Sequence, residues 1–122
     1  MAGKLLIETG WPAPALSPNA RPNRWAKAKA IQSARGEGFV ATILAMPLGW
    51  QCPPGKLRLT IHAHPPKRGR FDDDNLIAAA KAFRDGIASR LGVDDKRFIT
   101  QPVDWLEPLK GGRLLFELES ER

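Results

Sequence analysis

The stretch KLRLTIHAHPPKRGRFDDDNLIAAAKAFRDGIASRL, residues 56–91, decides the fold because a strand pattern gives way to a helix pattern around an acidic cluster. Residues 56–64 alternate apolar and polar side chains, which is typical of a half-buried strand. After a basic loop at 65–71, apolar residues recur at steps of three and four, which predicts a helix from about Asp74 to Leu91. Gly92 is well suited to end that helix.

The segment before this stretch adds one strand and one helix. Residues 4–9 (KLLIET) form a short apolar run that predicts a strand, and a proline-rich loop follows up to Pro22. Asn23 is a good cap for a helix from about Arg24 to Met46, in whose middle two glycines, at 36 and 38, leave a kink or a division open. The apolar positions of this helix include Trp25, Ala28, Ile31, Phe39, Ile43 and Leu44.

The segment after Gly92 adds two strands, at 98–106 and 113–119, joined through a turn at Lys110-Gly111-Gly112. The resulting order, β-α-β-α-β-β, predicts an α+β (mixed α/β) fold with a mixed sheet and two main helices. A chain of 122 residues is long enough for one ordinary domain and too short for two, so we expect a single domain over residues 1–122.

The composition restricts the classes of function. Nineteen Lys and Arg against thirteen Asp and Glu give a net charge of +6, which suits a polyanionic partner, although many small basic proteins bind no nucleic acid. Cys52 is the only cysteine, which excludes an internal disulfide and a zinc site built from cysteines. No apolar run is long enough for a signal sequence or a membrane span, so we expect a cytoplasmic protein without a membrane partner.

Three consecutive aspartates, Asp72, Asp73 and Asp74, repel one another and therefore need a reason to be held together. Capping of the helix that follows explains one of them, or two. The alternative is a site for a hard cation such as Mg²⁺, which takes carboxylate oxygens together with substrate phosphate. Carboxylates for metal beside cations for phosphates are what a phosphodiesterase site requires. Composition and spacing leave both interpretations open.

Two further charged groups are candidates for the same site. At about 100° per residue, Asp74, Lys81 and Asp85 fall within about 40° of one another, although Lys81 and Asp85 also have the spacing of an ordinary surface pair. The second acidic pair, Asp94-Asp95, follows the helix and is a candidate to complete the same site. The alternative interpretation is that the pair belongs to an ordinary turn.

The ordered set of motifs resembles the RusA family of Holliday junction resolvases over nearly the whole chain. The most specific part is D-x-D-N-L followed by a helix and D-D, which here reads Asp72-Asp73-Asp74-Asn75-Leu76 and then Asp94-Asp95. The opening strand, the Trp- and Pro-rich loop and the basic first helix occur in the family's order. The resemblance implies a homodimer that cuts four-way DNA by paired nicks, with Mg²⁺ (or Mn²⁺ in its place) and no small-molecule cofactor.

The resemblance also implies roles for individual residues. The metal ligands would be Asp72, Asp74 and Asp95, with Asp73 at the variable position and Asn75 as a motif partner without an assigned role. The family's helix carries a lysine close behind the motif, where this chain has Ala78. Lys81, with Asp85 in support, reproduces that lysine about three residues later, which is a departure from the pattern.

Basic residues form two groups that we expect to contact DNA phosphates. The group directly before the acids consists of Lys67, Arg68 and Arg70. The group at the start of the first helix consists of Arg24, Lys27 and Lys29 together with Arg21. Trp11 is a candidate for stacking on a base, whereas Trp25, Trp50 and Trp105 are assigned to packing. His62 and His64 are interpreted as histidines of the sheet surface rather than metal ligands.

Three hypotheses remain at this point. The first is a Mg²⁺-dependent nuclease selective for branched DNA. The second is a DNA-binding protein of the same fold with impaired catalysis, which the displaced lysine motivates. The third is a protein-interaction module in which the acids only cap a helix.

Overall fold

The structure, a computed structural model, describes residues 3–121. Five strands and three helices follow one another in the order β1 (Leu5–Thr9), α1 (Arg24–Ala45), β2 (Leu57–His64), α2 (Asp73–Ala79), α3 (Lys81–Leu91), β3 (Phe98–Thr100), β4 (Asp104–Trp105) and β5 (Arg113–Ser120). Two short 3₁₀ turns, Pro14–Leu16 and Asp95–Arg97, precede α1 and β3. None of the helices within this range combines the length and apolar character needed to cross a membrane.

The strands form one mixed sheet in the order β1-β5-β2-β3, with β4 also pairing with β2. β5 runs antiparallel to both β1 and β2, whereas β3 and β4 run parallel to β2. The parallel pairing requires a crossover, which α2 and α3 supply. The mixed sheet confirms the predicted α+β class.

The core lies between one face of the sheet and the helices. Along β2 the side chains alternate as predicted, with Leu57, Leu59, Ile61 and Ala63 buried. They share one cluster with Phe83 and Ile87 of α3 and with Phe116 of β5. The opposite face of the sheet carries polar residues, which is the pattern of an antiparallel or mixed sheet covered on one side only.

The helix predicted from Asp74 to Leu91 is in fact two helices. The first helix ends and the second begins at Ala80 (φ −88°, ψ −1°), whose N–H donates to the carbonyls of Leu76 and Ala78. Neither proline nor glycine marks the break, and Ala80 is fully buried. Tertiary packing therefore overrides a local sequence that favours a continuous helix.

The strand predicted at 98–106 is also divided, into β3 and β4. Pro102 lies between them and has no N–H to donate to a neighbouring strand. The N–H of Val103 is used elsewhere, since it donates to the carboxylate of Asp73 at 2.9 Å.

Helix α1 is one element from Arg24 to Ala45, so the division left open at its glycines does not occur. A Cβ at Gly38 would overlap the carbonyl oxygen of Phe83, and a Cβ at Gly86 of α3 would overlap that of Arg35. The two glycines therefore allow α1 and α3 to pack with their backbones almost in contact. The buried face of α1 consists of small residues, Ala34, Gly38 and Thr42.

The larger apolar residues of α1 lie mostly on its exposed face. Trp25 is 85% exposed and Leu44 is 81% exposed, so the assignment of Trp25 to packing is wrong. Phe39, Val40 and Ile43 are exposed as well. A hydrophobic pattern in the sequence identifies an apolar face, but it does not tell whether that face meets the chain's own core.

The glycine contact between α1 and α3 makes a matched pair of substitutions informative. Gly86→Ala should lower the free energy of unfolding by about 1–3 kcal/mol, because the new methyl group must displace backbone. Gly36→Ala, which meets nothing within 4 Å, should raise it by up to about 1 kcal/mol by lowering the backbone entropy of the unfolded chain. Urea unfolding measures both, and equal effects would contradict this packing.

Candidate functional site

The acidic cluster lies at the start of α2, directly after the basic loop that leaves β2. Asp72 is the N-cap of α2, and its carboxylate accepts the N–H of Asp74 at 2.8 Å. Capping therefore accounts for one oxygen of Asp72. The Asp74 side chain is exposed, and among residues 3–121 it makes no hydrogen bond or ion pair.

Asp73 differs from its two neighbours because its carboxylate is used inside the protein. One oxygen accepts the N–H of Val103 at 2.9 Å and the other accepts the indole N–H of Trp105 at 2.7 Å. The side chain thus joins the start of α2 to the β3–β4 segment. The motif gives Asp73 only its variable position and does not reveal this role, for which the one signal in the sequence is Pro102, a break in the neighbouring strand.

The second acidic pair lies in the 3₁₀ turn after α3. Asp94 caps that turn by accepting the N–H of Lys96 at 2.9 Å, and this hydrogen bond holds the pKa of Asp94 below its ordinary value. The carbonyl of Asp95 accepts a hydrogen bond from Arg84 of α3 at 3.2 Å. The turn is thereby fastened to the helix that precedes it.

The structure brings Asp72 and Asp74 together but does not bring Asp95 to them. Asp73 contacts Trp105, which pairs with Ala63 near the end of β2. Asp95 lies just before Phe98, which pairs with Leu57 at the start of β2. Six residues of extended strand correspond to about 20 Å. In the described part of the chain no group of three His, Cys, Asp or Glu side chains is arranged so that it could hold a metal ion. A metal site shared by Asp72, Asp74 and Asp95 therefore stays a prediction.

Lys81 and Asp85 form the ion pair that their spacing allows, with Nζ and the carboxylate 3.2 Å apart. Lys81 is exposed at the first residue of α3. The shared face with Asp74 was derived for a continuous helix, so the break at Ala80 removes that argument. The contact itself is the ordinary surface pair that sequence analysis left as the alternative.

The basic residues lie in two exposed groups, one in the loop directly before the acidic cluster and the other at the start of α1. Lys67, Arg68 and Arg70 are exposed in the loop that ends at Asp72, and none of them forms an ion pair within the described range. Arg24, Lys27 and Lys29 are exposed in the first turns of α1, beside the exposed Trp25. Both groups are therefore accessible to a polyanion.

Three aromatic residues form a cluster beside the basic loop, which we call the aromatic shelf: Trp11, Phe71 and Trp105. Phe71 stacks on Trp105 with ring centroids 5.4 Å apart and planes at 23°, and the edge of Trp11 meets Phe71 at 6.0 Å. Trp105 packs as expected. Phe71 keeps 39% of its surface exposed and directly precedes Asp72.

His62 lies between two carboxylates on the open face of the sheet. Its Nδ1 is 2.6 Å from Asp104 and its Nε2 is 2.8 Å from Glu117. Burial alone would lower the pKa of His62, but hydrogen bonds to the two carboxylates outweigh it and raise that pKa. The same contact, with Lys4 3.4 Å away, lowers the pKa of Glu117.

Both ring nitrogens of His62 can donate to carboxylates only when the ring is protonated. His62 is thus an ion-paired histidine of the sheet surface, and neither nitrogen is open to a metal. Nδ1 of the second histidine, His64, bonds to the carbonyl of Glu107 at 2.7 Å.

Comparison with known proteins finds a relative that is similar to most of this chain. The chain is 44% identical over 97 residues to an uncharacterized protein of Xylella fastidiosa (strain Temecula1), and the match covers 76% of this chain and 61% of that protein. The chain thus spans about three fifths of that relative's length. No protein-family model matches the chain.

The Asp73 contacts lead to a test that separates the three aspartates by their structural roles. Asp73→Ala should lower the free energy of unfolding by about 2 kcal/mol or more, because two partly buried donors lose their acceptors. Asp74→Ala, at an exposed side chain, should change it by no more than about 0.5 kcal/mol. Chemical denaturation checks both, and an Asp73→Ala protein as stable as Asp74→Ala would contradict the assignment.

Proposed function

We propose that this chain is a Mg²⁺-dependent endonuclease of the RusA type that resolves four-way DNA junctions by paired nicks. The observation that supports it most is that the three aspartates of the acidic cluster have different structural roles. The carboxylate of Asp73 is hydrogen-bonded within the fold, whereas Asp72 and Asp74 are exposed beside a loop whose three cations form no ion pair among residues 3–121. Helix capping explains Asp72 in part, but it does not explain an exposed Asp74 next to that loop.

The two exposed carboxylates suit a hard cation. Mg²⁺ commonly takes one or two protein carboxylates and completes its shell with water and substrate phosphate. Asp72 and Asp74 would hold the ion, and Mn²⁺ would serve in its place. When bound, the ion supplies positive charge that polarises the scissile phosphate and activates water.

The other roles in this proposal belong to the chain's cations. Lys67, Arg68 and Arg70 bind the phosphates that flank the scissile bond, and Arg24, Lys27 and Lys29 bind a second stretch of backbone. Lys81, oriented by Asp85, offsets charge that develops on the phosphate. Asn75 is exposed in the first turn of α2, and this proposal assigns it no role beyond its position in the motif.

A second copy of the chain completes the proposal. Symmetric cutting needs two sites related by a two-fold axis. The exposed face of α1, with Phe39, Val40, Ile43 and Leu44, is apolar and lies beside the exposed Leu6 of the edge strand β1. Exposed apolar patches of this kind mark protein interfaces. In this proposal a site that includes Asp95 takes it from a second copy, because Asp74 lies at the start of α2 whereas Asp95 follows the end of α3.

The catalytically impaired DNA-binding protein remains a second candidate. Ala78 stands where the family has its lysine, and Lys81 is engaged by Asp85 in an ordinary surface pair. Both observations are compatible with binding that is not followed by cutting.

Nicking of a synthetic four-way junction in Mg²⁺, compared with linear duplex, tests the proposal. The wild-type chain should cut the junction, and Asp74→Asn should cut it at least about 100-fold more slowly, because a metal ligand contributes several kcal/mol to catalysis. Asp94→Asn is the matched control, since asparagine preserves the cap of the 3₁₀ turn.

The outcomes distinguish the hypotheses. Undiminished cutting by Asp74→Asn would contradict the catalytic assignment. Tight, salt-sensitive junction binding without cutting in Mg²⁺ or Mn²⁺ would establish the impaired protein instead. A mixture of Asp74→Asn and Asp95→Asn chains extends the assay: recovered cutting means that Asp95 acts across the dimer, because one mixed site then keeps every ligand.

A further inference from the structure

We propose that the aromatic shelf receives one unpaired nucleobase of the bound DNA, stacked on the exposed part of Phe71. This inference rests on the proposed interaction with DNA, but it does not require that the chain cut it. The ligand class is a base outside the double helix, in either an extrahelical or a single-stranded segment.

The aromatic shelf is held in place from two sides. Asp73 accepts the indole N–H of Trp105, which fixes the ring on which Phe71 stacks. Gly112, with φ +74°, lies so close to Trp11 that a Cβ there would come within 2.8 Å of its side chain. A rigid aromatic surface loses little entropy when a second ring stacks on it. The exposed portion of Phe71 is therefore preorganised.

A cavity of about 570 Å³ opens beside Phe71. Its walls come from the basic loop and from the segment that follows β4, including Pro65, Arg68, Gly69, Trp105 and Glu107. Gly69 has no side chain to cover Phe71, whose ring a Cβ there would meet at 3.6 Å. The walls thus combine a flat apolar surface with one cation and one carboxylate.

The chemistry of this cavity favours a nucleobase over a purely apolar ligand. A base presents an aromatic face for stacking and an edge with donors and acceptors. The carboxylate of Glu107 can accept from an exocyclic amino group, as acidic side chains do with cytosine. The backbone at Glu107 is fixed because its carbonyl accepts a hydrogen bond from His64.

The surroundings favour a base that belongs to a polymer. Lys67, Arg68 and Arg70 lie within four residues of Phe71 and form no ion pairs within residues 3–121. Such a loop attracts the phosphates on either side of the inserted base. Within a duplex both faces of a base are already stacked, so only a base that has left the stack can use the exposed ring.

Fluorescence anisotropy in EDTA tests the inference without catalysis. The probes are a labelled DNA duplex with one extrahelical adenine and the same duplex without it. The wild-type chain should bind the bulged probe about ten-fold more tightly or more, as expected for one base–aromatic stack. Phe71→Leu should lose this preference and keep its affinity for the plain duplex, whereas Phe71→Tyr should keep both.

Trp25→Leu is the matched control, because Trp25 is an exposed aromatic residue in another basic region and should leave the preference intact. Equal binding of both probes by the wild-type chain, or a preference that survives in Phe71→Leu, would overturn the inference and leave the proposed nuclease untouched. Failure of the wild-type chain to bind either probe would overturn this inference, whereas the proposed function is overturned only if the four-way junction is neither bound nor cut. Loss of the preference in Phe71→Leu with folding shown by circular dichroism supports the inference.

Discussion

The contact between Asp73 and the β3–β4 segment is the interaction on which the rest of the site depends. One carboxylate holds the N–H of Val103 and the indole of Trp105 at once, so the start of α2 cannot move independently of the sheet edge. The same contact places Asp72 and Asp74 at the protein surface. It also supports the ring beneath Phe71, so that the acidic and the aromatic halves of the candidate site share one anchor.

Much of the fold was predictable because it follows from local patterns. The alternation of β2, the cap at Asn23 and the stop at Gly92 each have a local chemical signal, and the structure confirms them. The break at Ala80 and the exposed apolar face of α1 have none, because both depend on what surrounds the helix. Pro102 marked the division between β3 and β4, but the partner that takes the Val103 N–H lies 30 residues earlier in the chain.

In the candidate site, too, the features set by neighbouring residues were predictable from the sequence, and those set by distant residues were not. The motif identified a pair of exposed carboxylates beside a basic loop, since these residues are neighbours in sequence. It could not reveal that Asp73 is structural, or that Asp95 lies toward the other end of the β2–β3 edge. A helix position alone was also insufficient for Lys81, because its shared face with Asp74 assumed one helix and the structure has two, divided at Ala80.

We propose that Asp72 and Asp74 together bind a divalent metal ion. Anomalous diffraction from crystals soaked in Mn²⁺ provides the sharpest test, because the ion identifies its own ligands. We expect an Mn²⁺ peak about 2.1 Å from carboxylate oxygens of both residues, with Asp73 still bonded to Val103 and Trp105. Mn²⁺ bound elsewhere, or no peak at these two carboxylates, would contradict it.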